Sequence, residues 1–259
     1  MKNNNIILVV IIFSYLLTGC NRAYIPGFYG SHPNGLIVKS DYKERTSSYY
    51  VSLDAAKASA FNKDETNYFL RAKITKVISS EHFNANIGLG LYGGRYTVKN
   101  FYDNTNMCYS VTPDFTGKNY DKNYTYFGFD PSISCGANLK YGGFKFGIGL
   151  QLSVFSEFGD FYKFRKEIKN NKAAFIDVKD AVINVAFSVF PYYAWEFEDG
   201  SSISLQTNVG LPGIVSPSFV YNTNKTSYWL SVWINSEKED SLIPSIQFGV
   251  AMDISNFGF

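Results

Sequence analysis

Residues 144–154 read Phe-Lys-Phe-Gly-Ile-Gly-Leu-Gln-Leu-Ser-Val. Phe144, Phe146, Ile148, Leu150, Leu152 and Val154 are apolar. Lys145, Gly147, Gly149, Gln151 and Ser153 between them are small or polar. A strand points successive side chains to opposite faces, so this stretch has one apolar face and one polar face. A helical period would scatter both sets around the axis.

The same alternation recurs along the chain. Runs begin near Tyr49, Tyr68, Phe83, Tyr124, Phe144, Val182, Ser202, Ser218, Tyr228 and Ile246, each bounded by turn residues. Ten strands are expected, with eight as the alternative, and their spacing fits a meander, a sandwich or an up-and-down barrel. The aromatic content, 18%, favours strands and exceeds what a core alone needs. The charged run Lys163 to Lys172 reads as a solvated, partly helical loop.

Alternation alone leaves open which face points inward. A soluble ligand-binding barrel buries its apolar face, whereas an outer-membrane barrel turns that face to lipid. Two patterns favour the membrane. Connections at Ser79–His82, Lys140–Gly143 and Glu198–Gly200 are tight, while those at Lys99–Asn123 and Gly159–Asp180 are long and fall at alternate positions. Outer-membrane barrels have short periplasmic turns and long external loops. Aromatic residues also crowd the strand ends: Tyr49, Tyr50, Tyr68, Tyr96, Tyr124, Tyr126, Phe155, Tyr192, Tyr193, Trp195 and Tyr228. They are expected to form interfacial girdles. The expected fold is an all-β antiparallel transmembrane barrel over 48–259, preceded by an irregular segment over 20–47. Asp54, Arg71, Lys73, Asp130, Lys145, Gln151, Gln206, Asn208, Trp229 and Trp233 would line a narrow interior, with the charges paired in a structural network.

The amino end carries a more specific signal. Lys2 precedes an apolar run from Ile6 to Leu17, and Leu17-Thr18-Gly19-Cys20 follows. The run is short for a membrane-spanning helix, which needs about 20 apolar residues. A basic start, a short apolar stretch and small residues describe a secretory signal. Leu17-Thr18-Gly19-Cys20 resembles the lipobox of bacterial lipoproteins. That resemblance implies a signal peptide over 1–19, cleavage between Gly19 and Cys20, and acyl chains such as palmitate on Cys20. Asn21-Arg22-Ala23-Tyr24 lacks the acidic cluster that some surface lipoproteins of Bacteroidota carry after the cysteine. The expected anchor is therefore in the periplasmic leaflet. The closing Phe257-Gly258-Phe259 resembles the terminal aromatic signal of barrels handled by outer-membrane assembly machinery. The chain as a whole resembles the broad class of small outer-membrane barrels, with a Bacteroidota-like lipoprotein start.

Candidate chemistry is sparse. His32 and His82 are far apart, and neither lies in a metal-binding or triad pattern. Cys108 and Cys135 could pair in an oxidising compartment. Gly88, Gly90, Gly93 and Gly94 read as strand glycines rather than a phosphate loop. Lys+Arg 24 against Asp+Glu 22 gives no basic block for nucleic acid. The expectation is a lipid-anchored, non-enzymatic outer-membrane barrel without cofactor or metal. It would serve as an accessory or structural subunit of an envelope complex, or bind partners through its long loops. A small-solute pore and a soluble ligand-binding barrel are the alternatives.

Overall fold

The computed structural model describes residues 22–24, 26–30, 46–59, 65–99, 101, 118–170, 176–211, 214–235 and 243–255. Cys20, Gly19, Cys108, His32 and Phe257–Phe259 lie outside the described residues, and with them the expectations placed on those positions.

The elements are β1 (Arg22–Tyr24), a 3-10 turn (Gly27–Gly30), β2 (Thr46–Ser59), β3 (Thr66–Ser79), β4 (Phe83–Thr97), β5 (Asn123–Tyr141), β6 (Phe144–Ser156), β7 (Phe158–Gly159), helix α1 (Asp160–Asn170), β8 (Ile176–Val178), β9 (Ile183–Glu196), β10 (Ser202–Leu211), β11 (Ile214–Asn222), β12 (Thr226–Asn235) and β13 (Ile243–Asp253). Strands β2 to β6 and β9 to β13 form a closed, antiparallel barrel of 10 strands. Neighbours in sequence are neighbours in the sheet, and β13 closes the ring on β2 through Val250↔Leu53 and Ser245↔Ala58. Closure leaves no edge strand with unpaired backbone groups.

The ladders confirm the alternation read from the sequence. Phe144 pairs with Tyr141 across Gly142-Gly143, and Gly142 supplies the positive φ, 60°, that the tight turn requires. The whole of β6 then runs against β9, from Phe144↔Trp195 to Ser156↔Ile183. All tight turns among the described residues (80–82, 142–143, 197–201 and 223–225) lie at one end, together with the start of β2 and the end of β13. The chain leaves β2, β4, β6, β10 and β12 and re-enters β3, β5, β9, β11 and β13 at the other, here called the long-loop end.

Polarity is inverted relative to a soluble protein. Leu70, Ile74, Leu89, Leu91, Phe129, Ile148, Leu205, Phe248 and their same-face neighbours are exposed on the outer wall. Asp54, Arg71, Lys73, Asp130, Lys145, Gln151, Gln206, Asn208, Trp229 and Trp233 are all buried, pointing inward as expected. A soluble barrel would require the reverse, so this arrangement opposes that alternative.

Three expectations need correction. Tyr50, Tyr96, Tyr124, Tyr126, Phe155 and Tyr192 are not girdle residues; they are buried inside the barrel. Tyr49, Tyr68, Tyr193, Trp195 and Tyr228 do face outward. The reason is parity: Tyr124 and Tyr126 share a face with Asp130, not with Phe127 and Phe129. The run containing Lys163 is also more than a solvated loop. It is helix α1, whose Phe161, Phe164, Arg165 and Ile168 are buried while Lys163 is exposed. Finally, Cys135 carries a free thiol on a strand of the barrel wall. Among the described residues no helix is long and apolar enough to cross a membrane, which has no bearing on a β-barrel.

Candidate functional site: the plugged lumen

The interior is built from two layers. The deeper is a charge network on β2, β3 and β5. Arg71 Nε donates to Asp54 Oδ2 at 3.0 Å and Nη2 to Asp54 Oδ1 at 3.2 Å, while Nη1 donates to Asp130 Oδ2 at 2.8 Å. Lys73 Nζ lies 3.5 Å from the same Asp130 oxygen and donates to Ser132 Oγ at 2.5 Å. Gln247 Nε2, from β13, donates to Asp54 Oδ1 at 2.7 Å. Two cations thus face two carboxylates in a site from which water is largely excluded. A planar guanidinium that forks toward a carboxylate is well suited to such a position. Small residues on β4 make room for it: a Cβ on Gly90 would touch both Arg71 and Asp130, and one on Gly88 would lie 2.4 Å from Lys73 Cε. These are packing glycines, as the sequence implied.

The second layer lies nearer the long-loop end. The irregular segment after Cys20 enters the barrel. Gly27 N donates to Glu157 Oε2 at 2.6 Å, and Gly27 O accepts from Asn67 Nδ2 at 2.7 Å. Tyr126 OH donates to Asn67 Oδ1 at 2.6 Å. Phe28 stacks on Phe155 with ring centroids 3.9 Å apart and packs on Tyr92 at 5.1 Å and Phe69 at 5.9 Å. The Arg71 guanidinium lies 5.9 Å from the Phe28 ring and 5.6 Å from Phe69, which joins the two layers by cation–π attraction.

Helix α1 closes this assembly from above. Gly159, at φ 108°, turns the chain from β7 into the helix, a backbone geometry that other residues rarely adopt. Arg165 Nη2 pairs with Glu157 Oε1 at 2.5 Å, and Nη1 donates to the Lys179 carbonyl. One carboxylate, Glu157, therefore fastens both the helix and the amino-terminal segment. Tyr24 packs on Phe164 at 4.9 Å, and its hydroxyl donates to Glu65 Oε1 at 3.3 Å. Tyr96 stacks on Phe161 at 4.2 Å and donates to Glu65 Oε2 at 3.0 Å. β1 pairs in parallel with β8 through Ala23↔Asp177. At the rim, Glu167 Oε1 accepts from Lys118 Nζ at 2.5 Å and from Tyr120 OH at 2.8 Å; these contacts hold the Glu167 carboxyl below its ordinary value of 4.5.

At the tight-turn end the lining carries neutral polar groups, with Asn84, Asn138, Ser202, Ser204, Asn222 and Ser227 buried. Lys145 pairs there with Glu196, which also holds Lys140 at 2.7 Å. No group of three or more His, Cys, Asp or Glu that could hold a metal occurs among the described residues. His82 sits in a tight turn, far from the charge network.

The sequence signal for the plug was available but easily misassigned. Tyr24, Pro26, Gly27 and Phe28 form an apolar, turn-rich stretch, too apolar for a simple linker. The inward parity of Tyr96, Tyr124, Tyr126 and Phe155 supplied its aromatic partners.

No family model matches the chain, and no curated protein matches it. Solved barrels resemble it in outline. The crystal structure of Neisserial surface protein A is 12% identical, covering 81% of this chain and 99% of its own, with a TM-score of 0.28. The beta domain of the Bordetella autotransporter BrkA is 10% identical, covering 80% and 98%, with a TM-score of 0.41. The translocator domain of the autotransporter NalP from Neisseria meningitidis is 10% identical, covering 82% and 90%, with a TM-score of 0.34. Overlap at that level adds no weight to the chain's own closed ladder.

Proposed function

We propose that this chain is a non-enzymatic outer-membrane barrel, anchored by lipid on Cys20, whose closed lumen makes it a scaffold rather than a channel. Its working surface is the long-loop end, where α1 and the chain around Lys118–Tyr120 form a braced platform for a protein partner in the envelope. The observation that carries this reading is the inverted polarity: a continuous outer wall of Leu, Ile, Val and Phe around a buried polar and charged interior. Water would not tolerate that wall on a monomer, since exposed apolar patches above a few hundred Å² mark an interaction surface. Hydrocarbon would, because every barrel strand pairs with both neighbours.

The solute-pore alternative is disfavoured by the Phe28–Phe155 stack, which fills the lumen between β3, β4 and β6. The lipoprotein part rests on the lipobox resemblance. The test is a Cys20→Ala protein, which lacks the acyl site but keeps the barrel. It is expected to remain in the membrane fraction, to need detergent for extraction, and to migrate on a gel in a heat-modifiable way. A Cys20→Ala protein that stays soluble without detergent would overturn the membrane reading.

A further inference from the structure

The outward face of β2, β3 and β4 is apolar across the wall and changes character at the long-loop end. There Lys57, Tyr68 and Arg95 stand in register, one on each of these neighbouring strands. All three are exposed. Lys57 Nζ lies 5.7 Å from the centre of the Tyr68 ring, so its charge leans toward Arg95. Neighbouring strands are about 4.8 Å apart, which sets the two cations roughly 10 Å apart at their backbones, with Tyr68 between them. Ile246 and Thr125 continue the row on β13 and β5, and neither carries a charge. Among the described residues no carboxylate pairs with Lys57 or Arg95.

The wall differs on the two sides of this row. One step toward the long loops, the outward positions are Ser59, Thr66, Thr97 and Asn123, paired in turn across β2 to β5. They offer hydroxyl and amide groups, and Thr97 Oγ1 donates to Asn123 Oδ1 at 2.7 Å. One step toward the middle of the wall come Ala55, Leu70, Gly93 and Phe127, followed by Leu53, Ala72 and Leu91. Ala55, Ala72 and Gly93 are small and leave recesses beside Leu70. Tier by tier, the wall passes from hydroxyl and amide groups, through two cations and an aromatic ring, to hydrocarbon. An anionic lipid has its parts in the same order: a hydroxyl-bearing head, a phosphate, then acyl chains. Lysine and arginine at such a boundary lay their stems on apolar surface and keep their charged heads at the polar edge. Phosphate oxygens are charge-assisted acceptors for both. The opposite edge of the same strands lacks this arrangement. Lys76 leans over Tyr49 there at 5.6 Å, but Ile87 stands where a second cation would be needed.

We propose that the row Lys57, Tyr68 and Arg95 binds a phosphate-bearing lipid of the leaflet beside the long loops. Lys57 and Arg95 hold the phosphate from either side of Tyr68. The hydroxyls of Thr66 and its neighbours hydrogen-bond the rest of the head, and an acyl chain lies in the recesses beside Leu70. This site rests on the membrane reading above and adds to it a chosen headgroup chemistry.

Full-length protein in non-ionic detergent is titrated with phosphatidylglycerol, and bound lipid is counted by native mass spectrometry. Diacylglycerol with the same acyl chains is the phosphate-free comparison. A one-lipid adduct is expected with phosphatidylglycerol and not with diacylglycerol. The double variant Lys57→Gln with Arg95→Gln loses two charge-assisted contacts and should bind about tenfold more weakly or worse. Lys76→Gln should bind as the natural protein does. An adduct of full strength in the double variant, or one weakened equally by Lys76→Gln, overturns the site. Diacylglycerol bound equally well, or lipid displaced by inorganic phosphate, overturns a phosphate-bearing lipid as the occupant. Heat-modifiable migration of each variant is checked first. If the double variant does not fold, the natural protein decides: its adduct should weaken as ammonium acetate rises, and an adduct indifferent to salt overturns the proposal. The membrane reading fails separately, as full-length protein that stays soluble without detergent.

Discussion

Arg71 is held by carboxylates from two other strands, Asp54 on β2 and Asp130 on β5. Each removal has a different consequence. Arg71→Ala leaves two buried carboxylates with Lys73 alone, and breaking a buried pair this way costs about 3–5 kcal/mol. The urea midpoint of the folded form in detergent should fall accordingly, with the m-value unchanged. Asp130→Asn should cost less, because Arg71 keeps both of its hydrogen bonds to Asp54. If the two variants unfold at the same urea concentration, Asp54 does not hold the guanidinium as described. Gly94 makes a complementary case of close approach. A Cβ there would lie 2.2 Å from the Tyr68 carbonyl and 2.3 Å from the Tyr126 ring. Gly94→Val should therefore lower the same midpoint, whereas Gly142→Ala, with open space around it, should act only through its positive φ.

Helix α1 shows where sequence reasoning succeeded and where it stopped. The strands were legible because a period of two sorts whole faces: Asp130, Ser132 and Ser134 on one side of β5, Phe127, Phe129 and Ile133 on the other. The helix was legible only as a partly helical stretch of a solvated loop; its buried face was not, because Phe161, Phe164 and Ile168 are interrupted by lysines in a segment whose length marks a loop. Its role depends on Tyr24 and Glu157, residues distant in sequence, and no local pattern reports such a meeting. The same holds for the charge network, whose inward direction was legible and whose partners were not. Phe164→Ala should loosen this cap locally: hydrogen exchange in α1 and β1 should speed up while β2–β4 keep their protection. The rim also responds to acid. Glu167 is held below 4.5 first by its hydrogen bond from Lys118, then by that from Tyr120. A depressed carboxylate contributes stability above its unfolded value and loses it as pH falls through its folded value. The Glu167 contacts are thus complete above about pH 4.5 and weaken below it. Exchange at residues 118–121, corrected for intrinsic rate, should rise below that pH in the natural protein and show no such step in Glu167→Gln.

For the molecule as a whole, wall and plug are separate structures. The barrel ladders all fall within residues 46–253, and β13 closes on β2 with no help from β1. To the barrel strands the plug is fastened through side chains: Glu157 and Asn67 on Gly27, and the rings of Phe155, Phe69 and Tyr92 on Phe28. Removing residues 22–45 should therefore leave a barrel that folds and stays heat-modifiable, because closure, not plugging, satisfies its backbone. What remains on the inner wall is the Arg71 network, which links β2 and β3 to β5 past β4, with Trp229 and Trp233 on β12 as the other bulky groups. The Phe28 ring, stacked on Phe155 and packed on Phe69 and Tyr92, is what residues 22–45 add to that lining. In planar bilayers the full-length protein is expected to be electrically silent, and the protein lacking 22–45 to show discrete conductance steps. Steps of equal size from both would mean that ions already pass the Phe28–Phe155 stack, and the chain would be a pore after all.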